Sequence, residues 1–267
     1  MYNWLARSLV LLGAMLSNVS LAADLTDVDE IVRRANLAAY YQGADGRAEA
    51  RMIIRDGQGR EQMRQFTILR RDRSDGGDQD FLVVFSRPAD VRNTVFMVAK
   101  HTEGEDDRWL YLPSLDLVKR ISAGDKRTSF VGSHYFYEDV SGRNIRDDQH
   151  RLLGSDERFY LIGSTPKDPA SVEFARYQVW IDKQTFLPMT IEYYDSGDRS
   201  YRKVEVIETE TVQGHPTVTR SQVSDLRSGG STRMEFRFIR YDLGMEPGLF
   251  SERSLRNPPR EWLQRPH

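Results

Sequence analysis

Apolar and polar positions alternate with a period of two along most of the chain. The alternation runs over residues 48–54 and, after a turn signal at 56–59, over residues 61–71. Two alternating runs around a short Gly-containing turn predict an antiparallel hairpin. Segments rich in β-branched and aromatic residues predict further strands at 81–85, 94–100, 108–112, 117–122, 158–163, 173–182, 189–194, 201–210, 217–226 and 234–241.

A helical period precedes these strands. Apolar residues recur three or four positions apart between residues 25 and 39, which predicts a helix. Thr26 is the predicted N-cap, and Gly43 ends the pattern. A second helical turn is predicted at 251–256, just before two prolines. The sequence therefore predicts a mainly β protein, formally α+β with a minor helical part.

Several predicted strands are apolar on one face and charged on the other. Val204 and Val206, for example, alternate with Lys203 and Glu205. A large sheet with one wet face must curl over its apolar face or have that face covered. This pattern favours an interior filled by side chains and leaves a ligand cavity as the alternative.

Residues 1–22 have the pattern of a secretory signal peptide. Arg7 precedes an apolar run at 9–16, and small residues follow at Ser20, Ala22 and Ala23. The run is shorter than the roughly 20 apolar residues of a membrane span, and no other stretch approaches that length. The alternative is a buried helix at the start of the domain. We expect a cleaved signal peptide at 1–22, a single domain at 23–267, a periplasmic location and no stable membrane insertion.

Composition excludes several classes of function. The 267 residues include no cysteine, which excludes thiol nucleophiles, zinc–thiolate sites, disulfides and an N-terminal lipid anchor. The 38 Lys and Arg residues nearly balance 40 Asp and Glu residues, so bulk charge attracts no nucleic acid. The aromatic residues, 12 Phe, 12 Tyr and 4 Trp, supply enough rigid apolar surface for a core.

Sequence motifs for catalysis are weak. None of the five histidines shares metal-ligand spacing with another, and no nucleophile elbow, phosphate-cradling loop or dinucleotide fingerprint occurs in the sequence. The acidic cluster at 103–107 is interpreted as a solvated turn. Those at 138–139 and 147–148 lack the interleaved Gly and Asn of a calcium loop. We therefore expect no enzyme activity, no metal and no cofactor.

An aromatic loop at residues 130–137 fits neither a strand nor a helix. It contains Phe130, Tyr135, Phe136 and Tyr137, flanked by basic residues at 126–127 and acidic residues at 138–139. The favoured interpretation is a plug that inserts its rings into the core. The alternative is an apolar lid or a docking loop for a partner or a membrane.

Several ordered motifs resemble one known family. They are RPADVRNTVFM at 87–97, WLYLPSL at 109–115 with VKRI at 118–121, FVGS at 130–133 with YED at 137–139, and VWID at 179–182 with FLP at 186–188. Together they closely resemble the outer membrane lipoprotein-sorting family, the LolA-like group of periplasmic proteins. The chain departs from the family pattern at Asn93, where glycine is usual, and at His134, where aspartate is usual.

This resemblance implies a half-open antiparallel β-barrel of the LolA/LolB type, with a short helical lid over an apolar cavity for acyl chains. It also implies, by analogy, an inner-membrane transporter of the RND (resistance-nodulation-division) type as partner. The function that we expect is therefore a non-enzymatic carrier, or transport chaperone, for lipid or lipoprotein cargo between the inner and outer membranes. The alternative is a periplasmic interaction or sensor module, in which lipid only modulates binding to a membrane protein.

The strand and helix faces supply candidate residues for this function. The predicted lid is formed by Val28, Ile31, Val32 and Ala35, and the aromatic loop is the predicted gating or docking element. The predicted lipid-binding cavity is lined by Met52, Ile54, Phe66, Ile68, Phe96, Val98, Trp109, Tyr111, Trp180, Val204, Val206, Met234, Phe236 and Phe238. For each of these the same alternation is equally compatible with an ordinary core position.

Overall fold

The structure is a computed structural model that describes residues 24–264. The predicted signal peptide at 1–22 lies outside the described residues. Within them, none of the helices is both long enough and apolar enough to cross a membrane.

A single open antiparallel sheet dominates the fold. Its 13 strands have the spatial order β6-β5-β4-β3-β2-β1-β13-β12-β11-β10-β9-β8-β7. The strands are β1 (Asp45–Arg55), β2 (Glu61–Asp72), β3 (Gln79–Arg87), β4 (Val95–Lys100), β5 (Asp107–Leu112), β6 (Leu117–Ile121), β7 (Asp148–Ser155), β8 (Phe159–Pro166), β9 (Arg176–Asp182), β10 (Pro188–Tyr194), β11 (Ser200–Val212), β12 (His215–Asp225) and β13 (Ser231–Tyr241). The predicted strands are confirmed, and β7 was missed.

Four α-helices accompany the sheet in the described residues: α1 (Val28–Tyr40), α2 (Tyr137–Ser141), α3 (Glu252–Arg256) and α4 (Arg260–Leu263). The prediction of Thr26 as the N-cap of α1 is wrong by one residue. Asp27 is the cap, and its Oδ1 accepts hydrogen bonds from the backbone N–H groups of Asp29 (3.0 Å) and Glu30 (3.3 Å). The positive end of the helix dipole also stabilises a carboxylate at this position.

Apolar clusters cover both faces of the sheet around β2–β5. The inner face carries Met52, Phe66 and Phe96, which belong to one buried cluster. The outer face carries Leu69 and Leu82, which pack against the C-terminal segment 243–263, including α3. Because both faces are covered, β3 is buried without a break over residues 79–85, and its apolar run at 81–85 does not alternate.

A crossover segment, residues 122–147, joins the two edge strands β6 and β7 across the inner face. It contains the aromatic loop and α2. Phe130 and Tyr137 of this segment belong to the inner apolar cluster. On the far side, Arg143 donates two hydrogen bonds to Asp148 at the start of β7 (2.8 and 2.9 Å). The crossover segment therefore contacts both halves of the curled sheet.

Candidate functional site

A cavity of about 260 Å³ lies between the inner face of the sheet, α1 and the crossover segment. Strands β1, β2, β3, β12 and β13 form its floor and walls. Most of its lining is apolar: Ala38, Ala39, Ala48, Phe66, Ile68, Phe81, Val83, Phe130, Val140, Leu187, Val218, Met234, Phe236 and Ile239. Such a space offers a ligand a large apolar surface and few polar partners.

Small residues in the central strand β1 leave room for this cavity. Ala48 lies opposite Ile68, and Ala50 lies between Phe66 on one neighbouring strand and Phe236 on the other. A large side chain at either alanine would extend into the space between these neighbours. The two alanines thus leave space unfilled between larger neighbours, and Ala48 lines that space.

A β-bulge in β13 decides which residues face the cavity. Arg237 pairs with Glu49 and Arg240 pairs with Arg47, so Phe238 and Ile239 together stand opposite one residue of β1. Phe238 adopts a left-handed backbone conformation, with φ of 52°. The extra residue reverses the alternation, because side chains change face at every position. Ile239 therefore lines the cavity.

The prediction that Phe238 lines the cavity is consequently wrong. Its side chain is 50% exposed and lies beside a groove on the outer face, near Leu263.

The other predicted lining residues divide into four groups, of which three lie on the inner face or are partly buried. Phe66, Ile68, Met234 and Phe236 do line the cavity. Four more lie in the inner cluster behind it, namely Met52, Ile54, Phe96 and Val98. On the β9–β11 side, Val204 packs against a tyrosine-rich cluster and Val206 is half-buried.

Three aromatic predictions fall on the wrong face. Trp109 and Tyr111 pack against the C-terminal segment on the outer face, while Leu110 and Leu112 of the same strand face inward. Both faces of β5 are apolar, so alternation gave no means of choosing between them. Trp180 likewise points away from the face that carries its neighbours Val179 and Ile181.

Helix α1 covers the cavity with its last turn rather than with the predicted residues. The predicted lid residues Val28, Ile31, Val32 and Ala35 pack against a separate cluster on β8 and β9. Ala38, Ala39 and Tyr40 line the cavity instead. The Tyr40 ring lies so close to Gly142 that a Cβ there would be 2.5 Å from it. This contact joins the helix to the crossover segment.

The aromatic loop packs its rings inward, as the plug interpretation predicts. Phe130 is 1% exposed and Tyr137 is 8% exposed. Phe136 lies between the guanidinium groups of Arg127 and Arg202, at 5.0 and 4.3 Å from its ring centroid. The Tyr135 hydroxyl lies 2.8 Å from Ser221 Oγ. A docking loop would need these rings on the surface.

The charged groups that line the cavity are engaged by protein partners. Arg70 donates hydrogen bonds to the carbonyl oxygens of Tyr40, Gln42 and Gly43 and to Asp72. Burial lowers the pKa of Arg70 below its usual range. Asp139 accepts hydrogen bonds from the backbone N–H of Phe136 (2.7 Å) and from Arg202. Some of these partners, such as the Tyr40 carbonyl and Arg202, are distant in sequence, so local patterns do not predict them.

A buried ionic network fixes α2 within the crossover segment. Glu138 is 2% exposed and accepts hydrogen bonds from Arg127 (2.6 Å) and Arg143 (3.3 Å). Burial alone would raise the pKa of this carboxyl, but the two guanidinium groups and Lys126 lower it below its usual range. The basic and acidic pairs that flank the aromatic loop in the sequence were the available signal for this network.

An open antiparallel sheet with a helix over an inner apolar cavity defines the LolA class of fold. A LolA superfamily protein from Nitrosomonas europaea shares it at 18% identity, with a TM-score of 0.66 over 86% of this chain and 99% of that one. An outer membrane lipoprotein-sorting protein domain from Vibrio parahaemolyticus is 26% identical, with a TM-score of 0.78 over 86% and 98% of the two chains. The half-open fold and the resemblance are both confirmed.

Two further comparisons give the family. A DUF1329 family protein from Desulfovibrio piger is 32% identical, with a TM-score of 0.77 over 85% of this chain and 96% of that one. A family model with the description "Uncharacterized protein" matches residues 77–257. The chain therefore belongs to the DUF1329 family. The comparison with curated proteins found no match.

Proposed function

We propose that this protein is a non-enzymatic carrier that binds the acyl chain of a lipid or lipoprotein in its inner cavity. The observation that carries the proposal is the cavity itself, which is walled by apolar side chains while its charged groups are engaged by protein partners. Each buried methylene contributes about 0.8 kcal/mol, so one acyl chain binds without any charge on the wall.

The similar structures support the same function at a coarser level. One is named as an outer membrane lipoprotein-sorting domain and another as a LolA superfamily protein. We further propose that residues 1–22 direct the chain to the periplasm, that residues 23–267 form one domain, and that cargo moves there between the inner and outer membranes. Mass spectrometry of the mature N-terminus tests the cleavage, and an intact residue 1 in the exported protein would contradict it.

The central experiment measures binding of a fluorescent fatty acid. Phe236 lines the cavity, so Phe236→Glu places a carboxylate against an apolar wall and is expected to weaken binding by about tenfold or more. Phe238→Glu is the matched control, since it makes the same change two residues along the same strand but beside the outer groove. Equal loss in both variants would contradict the assignment of the cavity.

A second measurement identifies the cargo without the use of a fluorescent probe. Organic extraction of the natively purified protein followed by mass spectrometry is expected to release lipid from the wild type and less from Phe236→Glu. A folded protein that yields no lipid and shows no saturable fatty acid binding would overturn the carrier function.

By analogy with the family, we propose that an inner-membrane transporter of the RND type exchanges cargo with the carrier. Crosslinking in intact cells tests this partner. Recovery of lipid but of no inner-membrane protein would contradict the transporter as partner and would not affect the proposed carrier function.

A further inference from the structure

Phe130 closes the cavity from the crossover segment rather than from the sheet. Its ring lies 6.3 Å from that of Phe66, which also lines the cavity. On its other sides it contacts the rings of Phe85 (5.6 Å), Phe96 (5.4 Å) and Tyr137 (5.6 Å), centroid to centroid. These three rings belong to the inner cluster but do not line the cavity. Phe130 thus separates the cavity from the core behind it.

The region behind Phe130 is as apolar as the cavity. It includes Val98, Leu110 and Ile121, which are buried in the same inner cluster. An aromatic ring, not a polar wall, therefore ends the cavity on this side.

The backbone around Phe130 departs from local preference. Val131 has φ of 48° and Gly132 has φ of 77°, so a β-branched residue occupies the left-handed region. The loop is closed by its own hydrogen bonds, from Phe130 N–H to Tyr135 O (2.8 Å) and from Ser133 N–H to Phe130 O (3.0 Å). Residues kept in such conformations are concentrated at ligand clamps and switch regions. This loop therefore fixes the ring's position at a local conformational cost.

We infer that the Phe130 side chain is the end stop of the cavity and sets the length of acyl chain that it accepts. The inference rests on the proposed carrier function. A chain that enters along Phe66 and Phe236 meets the Phe130 ring, and methylenes beyond that length stay in water. Removing the ring opens the way towards the apolar core behind it, so longer chains gain contacts.

The test is a chain-length series. Saturated fatty acids from octanoate to stearate compete with a dansyl-labelled fatty acid for the wild type, for Phe130→Ala and for Phe130→Trp. Affinity is expected to rise about fourfold per methylene and then to reach a plateau, since about 0.8 kcal/mol per methylene corresponds to that factor. The plateau is expected at longer chains in Phe130→Ala and at shorter chains in Phe130→Trp. Opposite shifts in two variants separate this role from a general loss of folding.

Phe96→Ala is the matched control. It removes a ring that touches Phe130 but does not line the cavity, so its plateau is expected at the wild-type length. A plateau that is unchanged in both Phe130 variants, in a protein that binds fatty acids, would overturn this inference alone. A wild type that binds no fatty acid of any length would overturn the proposed function and the inference with it.

Discussion

The two halves of the inner face are built from different chemistry. Around β1–β4 the inner face is apolar, with Met52 and Phe96 fully buried. Around β9–β11 it presents Tyr177, Tyr193 and Tyr201, which surround arginine and carboxylate side chains. The crossover segment places Phe130 and Tyr137 on the first half and Arg127 and Arg143 on the second.

This difference separates two tasks. Apolar contacts have no preferred direction, so a wall made of them accepts many chains and registers. Charge-assisted hydrogen bonds require a fixed geometry, and buried ones are costly to leave unpaired. The cavity lies on the apolar half, while the crossover segment that closes it is fixed by the charged half. Substitutions in each half separate the contributions of apolar contacts and of buried ion pairs to the free energy of unfolding.

The largest expected effect comes from the charged half. Glu138→Gln leaves Arg127 and Arg143 buried without their shared carboxylate, so we expect a loss of about 3–5 kcal/mol in the free energy of unfolding. The pKa of Glu138 is lowered in the folded protein, and this contribution is therefore present above its ordinary pKa and is lost as the pH falls through the lowered value. Urea unfolding at neutral and acidic pH measures both effects.

A surface pair supplies the control for this substitution. Glu103 pairs with Arg146 at 2.7 Å, but both side chains are more than half exposed. Glu103→Gln is expected to cost no more than about 1 kcal/mol. Comparable losses in the two variants would show that the buried network contributes no more than a solvated pair.

The apolar half is expected to respond differently. Met52 is 0% exposed, so Met52→Ala should cost about 2–5 kcal/mol through lost burial and the cavity left behind. No group of the inner cluster titrates between about pH 5 and 8, so the loss should stay constant across that range. Met63→Ala, at a position 39% exposed, is the control. A strongly pH-dependent loss in Met52→Ala would break the contrast between the two halves.

A smaller effect is expected from the tyrosines of the charged half. The Tyr177 hydroxyl donates to Asp148 Oδ2 at 2.7 Å, and Tyr177→Phe should cost about 1.5–3 kcal/mol, as for hydrogen bonds to charged groups. Burial raises the pKa of Tyr177 well above its usual value. The wild-type advantage is therefore complete below about pH 10 and shrinks at higher pH, where the unfolded chain ionises.

Unfolding curves of the wild type and Tyr177→Phe at neutral and alkaline pH measure this advantage. An advantage that grows above pH 10 would contradict the assigned direction of the pKa shift.

The sequence predicted the fold well because most strands have one wet face. Hairpin β1–β2, for example, was predicted from alternation on both sides of a short turn. Its observed register runs without a break from the pair Asp45–Arg71 to the pair Arg55–Glu61. The missed strand β7 is an edge strand of mixed composition that contains His150 and Gly154. Its inward-facing positions are Asp148, His150, Leu152 and Gly154, so no apolar stripe distinguishes it from a loop in the sequence.

The site was predicted less completely, for identifiable physical reasons. Alternation separates the two faces of a strand but does not show which face points inward. The prediction therefore placed Trp109 in the cavity lining, whereas Leu110 is the residue that faces inward. Alternation also fails at a bulge, where Ile239 replaces Phe238. The charged pairs that flank the aromatic loop indicate part of the network around Glu138, but Glu173, which pairs with Arg127 across 46 residues, lies beyond any short-range charge pattern.

The pairing of β1 with β13 also constrains when the wall of the cavity can form during folding. These strands come from the two ends of the described chain, yet they are neighbours in the middle of the sheet. Contacts so distant in sequence close late, because a long loop must be ordered first. A chain that has emerged only as far as β12 lacks Met234 and Phe236, and hence one wall of the cavity. The cavity is therefore complete only after β13 has joined the sheet.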